Sequence, residues 1–436
     1  MTVNNVYFSQ CFLEEERTMI NARDYGFLPE NDGKTNAEIL NALLESNSEV
    51  EVTQQGEYLL SDTILIGSNT ILSFGEGVFI KREKHPEETG YVFVNRGAYT
   101  RTYDENITIN GLHIICNGVQ SSPAGPDAKK VIPGLRGHIS FFYIKNLMIR
   151  NFTALDLPPQ DFGIHVCTFE NIRVENVRIE GRKDAVHLGR GRGFVIKDGY
   201  FKTYDDPVAL NAHDYATSNP QLGWIEDGVI ENCYDYNDTS TVGYFCRILA
   251  GSWTDWYAGM VIQHSDTVVH NNRVYRALMG PDGKTYISKT PPTHDSGNAF
   301  LDGIRWVFVQ NEVCYSCGCR NISFKDILIE KDRPVAISIH HDNDAYSRSV
   351  YPGSAAPVQE NITFENVKIT GNTPIFLSCI SPLKNFTFKD CALGGSTISL
   401  LELEQIPAYP EADFHVSGTV VDTISTTPKR TYTIIE

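Results

Sequence analysis

No run of eighteen apolar residues occurs anywhere in the 436-residue chain, so no membrane-spanning helix is expected. Basic residues are also scarce. Lys and Arg number 37 against 54 Asp and Glu, a formal net charge of -17. That balance argues against nucleic acid as a partner, because neutralising phosphates needs a basic surface. The opening segment MTVNNVYFSQCFLEEERTMI lacks a basic start followed by an apolar core. A secretory leader is therefore not expected, and a cytoplasmic location is. The ten cysteines lack the spacing of a disulfide framework. Most stand alone in strand-like segments and read as buried thiols, Cys11 among them. Cys314, Cys317 and Cys319 form the one cluster, CYSCGC, with no second tight pair after it. A zinc or redox site there is the minor reading, and no metal site is expected.

What the chain does have is a recurrent phrase: Asn or Asp, alternating apolar residues, then Asn or Asp again. It reads ENITINGLHI at 105–114, KNLMIRNFTA at 145–154 and ENIRVENVRIEG at 170–181. Variants follow at 192–203, 226–236, 265–277, 320–331, 360–371 and 384–395. Where spacing is tight, one phrase starts roughly 22 to 25 residues after the last. Each phrase is a short strand, a sharp turn and another strand. One unit cannot bury its apolar face alone, but a coaxial stack closes a core and pairs each strand with its neighbours. The asparagines fall at turns, where they tolerate left-handed backbone. The architecture implied is an all-β parallel β-helix, with an antiparallel sandwich or propeller as the competing reading. Two-residue hairpin signals are few.

Before the repeats, Ala37 to Glu45 is strong helix-forming sequence, with Ile39, Leu40, Leu43 and Leu44 on one face. Thr35 or Asn36 is placed to cap it. The expected division is a segment 1–50 whose helix plugs the open N-terminal end of the solenoid, a β-helix over 51–405 with long loop insertions, and a tail over 406–436.

The stretch NARDYGFLPENDGKTNAEILNALLE resembles the opening of the pectate-lyase-like superfamily of right-handed parallel β-helices, where "DFGAxGDG" leads into "TxAIxxA". The central region resembles the polygalacturonase-type glycoside hydrolases. Those enzymes build a catalytic centre from an "NTD" coil and a "DD" coil, followed by "GHG" and "RIK" segments. The resemblance implies Asp184, in RKDAVHLG, for the first and Asp205 and Asp206, in YDDPVALNA, for the second. No "GHG" follows the pair; the nearest histidines are His187 and His213. No "RIK" is present either, and Arg247 in CRILAG is the nearest basic element on a following coil. The superfamily also contains polysaccharide lyases, epimerases, fructan-converting transferases and phage tailspikes.

The residues themselves support a cluster. Asp184 and Asp206 are 22 residues apart, one tight coil. Aligning AVHL at 185–188 with PVAL at 207–210 puts them in register, and parallel strands stack about 4.8 Å apart. Asp205 then falls beside Lys183. An upstream coil, QDFGIHV at 160–166, places Phe162 beside Asp184 and His165 above His187. Glycoside hydrolysis needs one protonated carboxyl and one ionised one, and crowded acids raise at least one pKa. Asp206 is assigned the acid role, with Asp184 and Asp205 on the water. The structural alternative, aspartates that only bond turn amides, stays open.

Candidate substrate contacts are His165, Lys183, His187, His213 and Arg247, joined by Trp253, Trp256 and Tyr257 in GSWTDWYAG as a sugar-stacking platform or a hydrophobic lid. The segment at 279–300 reads as a long loop. His340, His341, Asp342 and Asp344 form a further polar loop that coil counting places well away from Asp206 along the axis. The leading expectation is hydrolysis of an oligosaccharide. A lyase or epimerase is the enzymatic alternative, with Ca²⁺ as the cofactor if elimination is the reaction and none otherwise. A non-catalytic carbohydrate-binding or structural β-helix is the third reading, and a homo-oligomer stays open.

Overall fold

The computed structural model describes residues 19–83, 90–120, 132–237, 242–279, 283–342, 347–355, 357–379 and 381–401, with strands at 414–417 and 423–427. Cys11, Asp344 and most of the tail from 406 lie outside the described residues.

Two ladders of parallel strands run the length of the molecule. One joins Asp104–Asn110, Gly137–Leu157, Phe162–Gly181, Gly191–Thr203 and Ile225–Asp235, then Cys319–Ile329, Gln359–Ile369, Leu383–Lys389 and Phe414–Ser417. The second joins shorter strands: Val186–Leu188, Val208–Asn211, Cys246–Leu249, Ile337–His340, Ile375–Cys379, Thr397–Leu401 and Thr423–Thr427. Inward residues stack in rows along the axis. Ile149, Val174, Ile196, Ile230, Phe324, Phe364 and Phe388 form one such row. Its last three rings lie 4.9 and 5.1 Å apart. Burying each of these side chains is worth about 1.5–3 kcal/mol, and the solenoid is held by their repetition.

The corners are asparagine ladders. Asn106 donates to Asn69 at 2.8 Å, Asn146 to Asn106 at 2.9 Å and Asn171 to Asn146 at 3.4 Å. After Asp227 the ladder continues through Asn321, Asn361 and Asn385, each step 2.8 Å. All of these corner residues have φ between 52 and 59°, the left-handed region that Asn and Asp tolerate best. Gly193 (φ 73°) interrupts the series, and a Cβ there would lie 2.7 Å from Asn171 Oδ1.

Three expectations are corrected. The phrase at 265–277 is not a coil. Thr267–His270 and Arg273–Ala277 form an antiparallel hairpin through Asn271 and Asn272, both at positive φ. That two-residue turn is a hairpin signal and was legible in the sequence. The hairpin belongs to a five-stranded sheet inserted between Leu249 and Cys319, which also contains Asn298–Leu301 and Ile304–Gln310. Part of the expected loop at 279–300 is therefore strand, including Tyr286–Ser288, which pairs with Met260–Ile262. The helix spans Gly33–Ser46, and its cap is Asp32 rather than Thr35 or Asn36. Asp32 Oδ1 accepts the Thr35 amide at 2.8 Å. Asn36 is buried and bonds the Leu28 backbone instead. Leu40, Leu43 and Leu44 enter the core beside the first coils.

Candidate active site

Lys183 and Asp184 precede the strand Val186–Leu188, and Asp205 and Asp206 precede Val208–Asn211. The strands pair with Val186 opposite Val208, and the Ala185 amide donates to the Asp206 carbonyl at 2.9 Å. Asp184 and Asp206 thus leave successive coils at the same point. One oxygen from each of Asp184, Asp205 and Asp206 lies within 4.8 Å of the others. Lys183 bonds Asp205 Oδ2 and stands 3.4 Å from Asp184 Oδ1. On the next coil Arg247 lies opposite Ala209. Its Nε is 2.8 Å from Asp206 Oδ2 and its Nη2 is 3.9 Å from Asp184 Oδ2. The shorter contact is not aligned as a hydrogen bond, so Arg247 acts on Asp206 through proximity of charge.

Three carboxylates therefore share two cations, and one proton balances the group. Burial pushes Asp206 up to about 8 despite Arg247 beside it, and the charges of Asp205 and Asp184 push the same way. Burial also raises Asp205, with the Asp184 charge adding to it. Asp184 moves oppositely: burial works against its ionisation, but Lys183, the His187 hydrogen bond and Arg247 outweigh that and hold it below the usual carboxylate range. Arg247 stays charged because it faces Asp206, Asp214, Asp184 and Asp205 together, so a neutral Asp206 does not leave it unpaired.

These shifts predict a pH signature. A raised acid binds its proton more tightly in the folded state, so its stabilisation is present below the unfolded value of 3.8 and is lost as pH climbs through about 8. Buried His138, His165, His213 and His341 are all lowered from 6.5, chiefly by burial, and act in the opposite sense below that pH. Between about 6.5 and 8 the Asp206 contribution stands apart from theirs. The melting temperature is expected to fall over that window, and Asp206→Asn to remove the fall. An identical slope in the variant would show that Asp206 does not hold the proton.

Access is unequal. Asp184 and Asp206 are fully buried, whereas the side chains of Asp205, Lys183 and Arg247 keep 18, 17 and 14% exposure. Gly243 covers the pair: a Cβ there would lie 2.5 Å from Asp206 Oδ1 and 2.7 Å from Asp205 Oδ1. The next amide, of Tyr244, donates to Asp206 Oδ1 at 2.8 Å. Beneath the turn, Arg333 is buried against Asp235 at 2.6 Å and donates to the carbonyls of Asp205 and Thr203 at 3.3 and 3.4 Å.

His187 is wedged among buried groups. Its Nδ1 is 2.9 Å from Asp184 Oδ2, and its Nε2 is 3.6 Å from Asp214 Oδ2. Its ring stacks on Phe162 at 3.9 Å, and His165 meets it edge-on at 4.7 Å, in the expected register. His165 Nδ1 accepts the Arg136 amide at 2.9 Å. His213 is buried with neither ring nitrogen bonded. Among the described residues, Asn211 Oδ1, both His341 nitrogens and Asp342 Oδ2 are likewise buried without a partner. Buried polar atoms are ordinarily satisfied, so this face is one that water or polar ligands would complete.

The aromatic segment does not form a platform. Trp253 is 2% exposed, packed in the core with its ring 6.0 Å from His213, so its face is closed to a sugar. Trp256 is half-buried and donates to Ser288 Oγ at 2.8 Å. Tyr257, in the inserted region, is 53% exposed but sits against Tyr351 of the segment after His340. Conversely, the polar loop after Ile339 is closer than coil counting implies. The insertion leaves the axis and returns, so Ile337–His340 pairs directly with Cys246–Leu249, with Ser338 opposite Arg247. Asp342 then feels the Arg247 charge and Tyr244 feels Asp342. Asp214 and Tyr244 carried no signal beyond lying at strand ends, and Asp342 was legible only as a member of the polar loop after Ile339.

The three aspartates are also the one convergent set of acidic, His or Cys ligands among the described residues. A divalent ion there would have to displace the Lys183 ammonium and meet the Arg247 guanidinium, so the set fits Ca²⁺ poorly. Cys317 and Cys319 are buried, which pushes both thiols up and away from the thiolate a metal needs.

No protein-family model matches the chain, and no curated protein matches it in sequence. Solved structures match it in shape. A polygalacturonase from Erwinia carotovora ssp. carotovora superposes with a TM-score of 0.52 at 12% identity, over 93% of this chain and 95% of that one. The fold is that of the pectin-lyase-like parallel β-helices. The family 28 exopolygalacturonase of Yersinia enterocolitica gives 0.50 at 14% identity, over 97% of this β-helix and 78% of that chain. An N-terminal fragment of bacteriophage phi29 gene product 12 gives 0.49 at 13% identity. That match covers 93% of this chain, which spans 65% of the fragment's length.

Proposed function

We propose that this β-helix is a glycoside hydrolase acting on an oligosaccharide at Asp184, Asp205 and Asp206. The observation that carries the reading is the charge balance of the cluster: three convergent carboxyls, two cations, one acid raised to about 8 and one held low. Environments that push neighbouring acids apart are what acid/base chemistry requires. In this reading the cluster holds one proton near neutral pH, and Asp205, the partly exposed member, presents it to the glycosidic oxygen. The C–O bond breaks as that oxygen takes the proton, and a water deprotonated by the cluster adds to the sugar carbon. Asp206 keeps its assigned part as the holder of that proton, and Asp205 is added as the member that presents it, because a fully buried acid cannot reach a sugar directly. Lys183 and Arg247 stabilise the ionised state left behind. The polygalacturonase names among the structural neighbours support a glycosidase in kind but do not extend to a substrate. The helix Gly33–Ser46 is proposed to cap the solenoid end.

The test is product analysis on a panel of neutral and uronate oligosaccharides. Hydrolysis yields new reducing ends without ultraviolet absorption. An unsaturated, absorbing product would replace this reading with β-elimination, and binding without turnover would replace it with a carbohydrate-binding role.

A further inference from the structure

Away from the aspartates, a cavity of about 250 Å³ lies between Pro133, the segment around Ala216 and Pro220, and the inserted sheet. Pro220, Leu278, Val307 and Phe308 make its walls largely apolar. Among the described residues no acid lines it, yet two arginines do, Arg101 and Arg276. In a chain of net charge -17 that is a local reversal of sign.

Arg276 is 3% exposed. Its Nε donates to the Ser265 carbonyl at 3.3 Å and its Nη2 to the Asp214 carbonyl, while Nη1 has no partner. Neither arginine forms an ion pair with a described carboxylate. Burial lowers Arg276 to about 10, which still leaves it charged at neutral pH. Arg101 donates from Nη1 to the Val309 carbonyl at 2.7 Å, and its guanidinium carbon lies 5.4 Å over the Phe308 ring. Asp214 and Asp266 favour the Arg276 charge only through space, so the buried guanidinium has no directly paired counter-ion, which is costly, and its planar fork is matched by a carboxylate.

We propose that this cavity binds a small organic carboxylate, its charge between Arg276 and Arg101 and its apolar body against Phe308, Leu278 and Val307. None of the three aspartates lines this cavity, and the proposal does not rest on the glycosidase reading.

The test is calorimetric titration of the intact protein with benzoate, with benzamide as the uncharged isostere and sulfate as a bare anion. Benzoate is expected to bind at least about tenfold more tightly than benzamide. Arg101→Met, at the exposed mouth, is expected to weaken benzoate about tenfold. Leu278→Trp is expected to abolish binding by filling the cavity while leaving the melting temperature near wild type. Both variants avoid Arg276, whose backbone contacts make its replacement a folding risk. Equal affinity for benzamide, unaltered binding in Leu278→Trp, or no heat up to about 10 mM benzoate would each overturn the proposal. Sulfate binding as tightly as benzoate would overturn its apolar half.

Discussion

Asp205→Asn is expected to lower kcat on a hydrolysed oligosaccharide by roughly a hundred- to ten-thousandfold, the range spanned by a positioned general acid. The substitution is nearly isosteric, and the amide oxygen can still accept from Lys183. Asp205 is also the one partly exposed member of the cluster, so the fold loses little with its charge. The melting temperature should stay near wild type and KM should change little. Asp184→Asn is expected to lower kcat as well, but with a folding cost, because Asp184 is fully buried and pairs with His187 at 2.9 Å. The discriminating outcome is the pair of measurements on Asp205→Asn. Unchanged kcat with a lowered melting temperature would make the aspartates turn chemistry, and the glycosidase reading would fall.

Arg333→Leu is expected to destabilise the protein by about 3–5 kcal/mol, measured as a shift in urea midpoint at constant slope. Arg333 and Asp235 are both fully buried and pair at 2.6 Å, so removing the guanidinium strands a carboxylate in the core. The carbonyls of Thr203 and Asp205 lose donors at the same time. Replacing both partners, Arg333→Leu with Asp235→Leu, should recover most of the loss, since an apolar pair carries no uncompensated charge. A double variant no more stable than the single one would place the energy in the carbonyl contacts instead. Activity in the double variant then reports whether Arg333 positions the Asp205 turn: kcat should remain depressed after stability returns.

The insertion shows where sequence reading stopped. The phrase at 265–277 shares the Asn-and-apolar alternation of the coils, and alternation alone does not tell a parallel coil strand from an antiparallel hairpin strand. The Asn271-Asn272 pair carried the distinction. Counting that phrase as a coil moved His340 and Asp342 down the axis, when Ser338 in fact lies beside Arg247. Trp253 shows a second limit. Its polar flanks suggest a surface loop, but it follows Gly251 and Ser252, which pair with Ser316 and Cys317, and the pairing folds its ring inward.

By itself the sequence determined the parallel stacking, the asparagine corners and the meeting of Asp184 with Asp206. Those depend on pairings one coil apart, and a period-two strand pattern with a 22-residue offset encodes them locally. It also placed Lys183 against Asp205 and His165 over His187, for the same reason. Only the tertiary structure decided which aspartate meets solvent, how two cations divide among three carboxylates, and that Arg101 and Arg276 line one cavity. Each of these joins segments tens to hundreds of residues apart, through loops whose packing has no period to read.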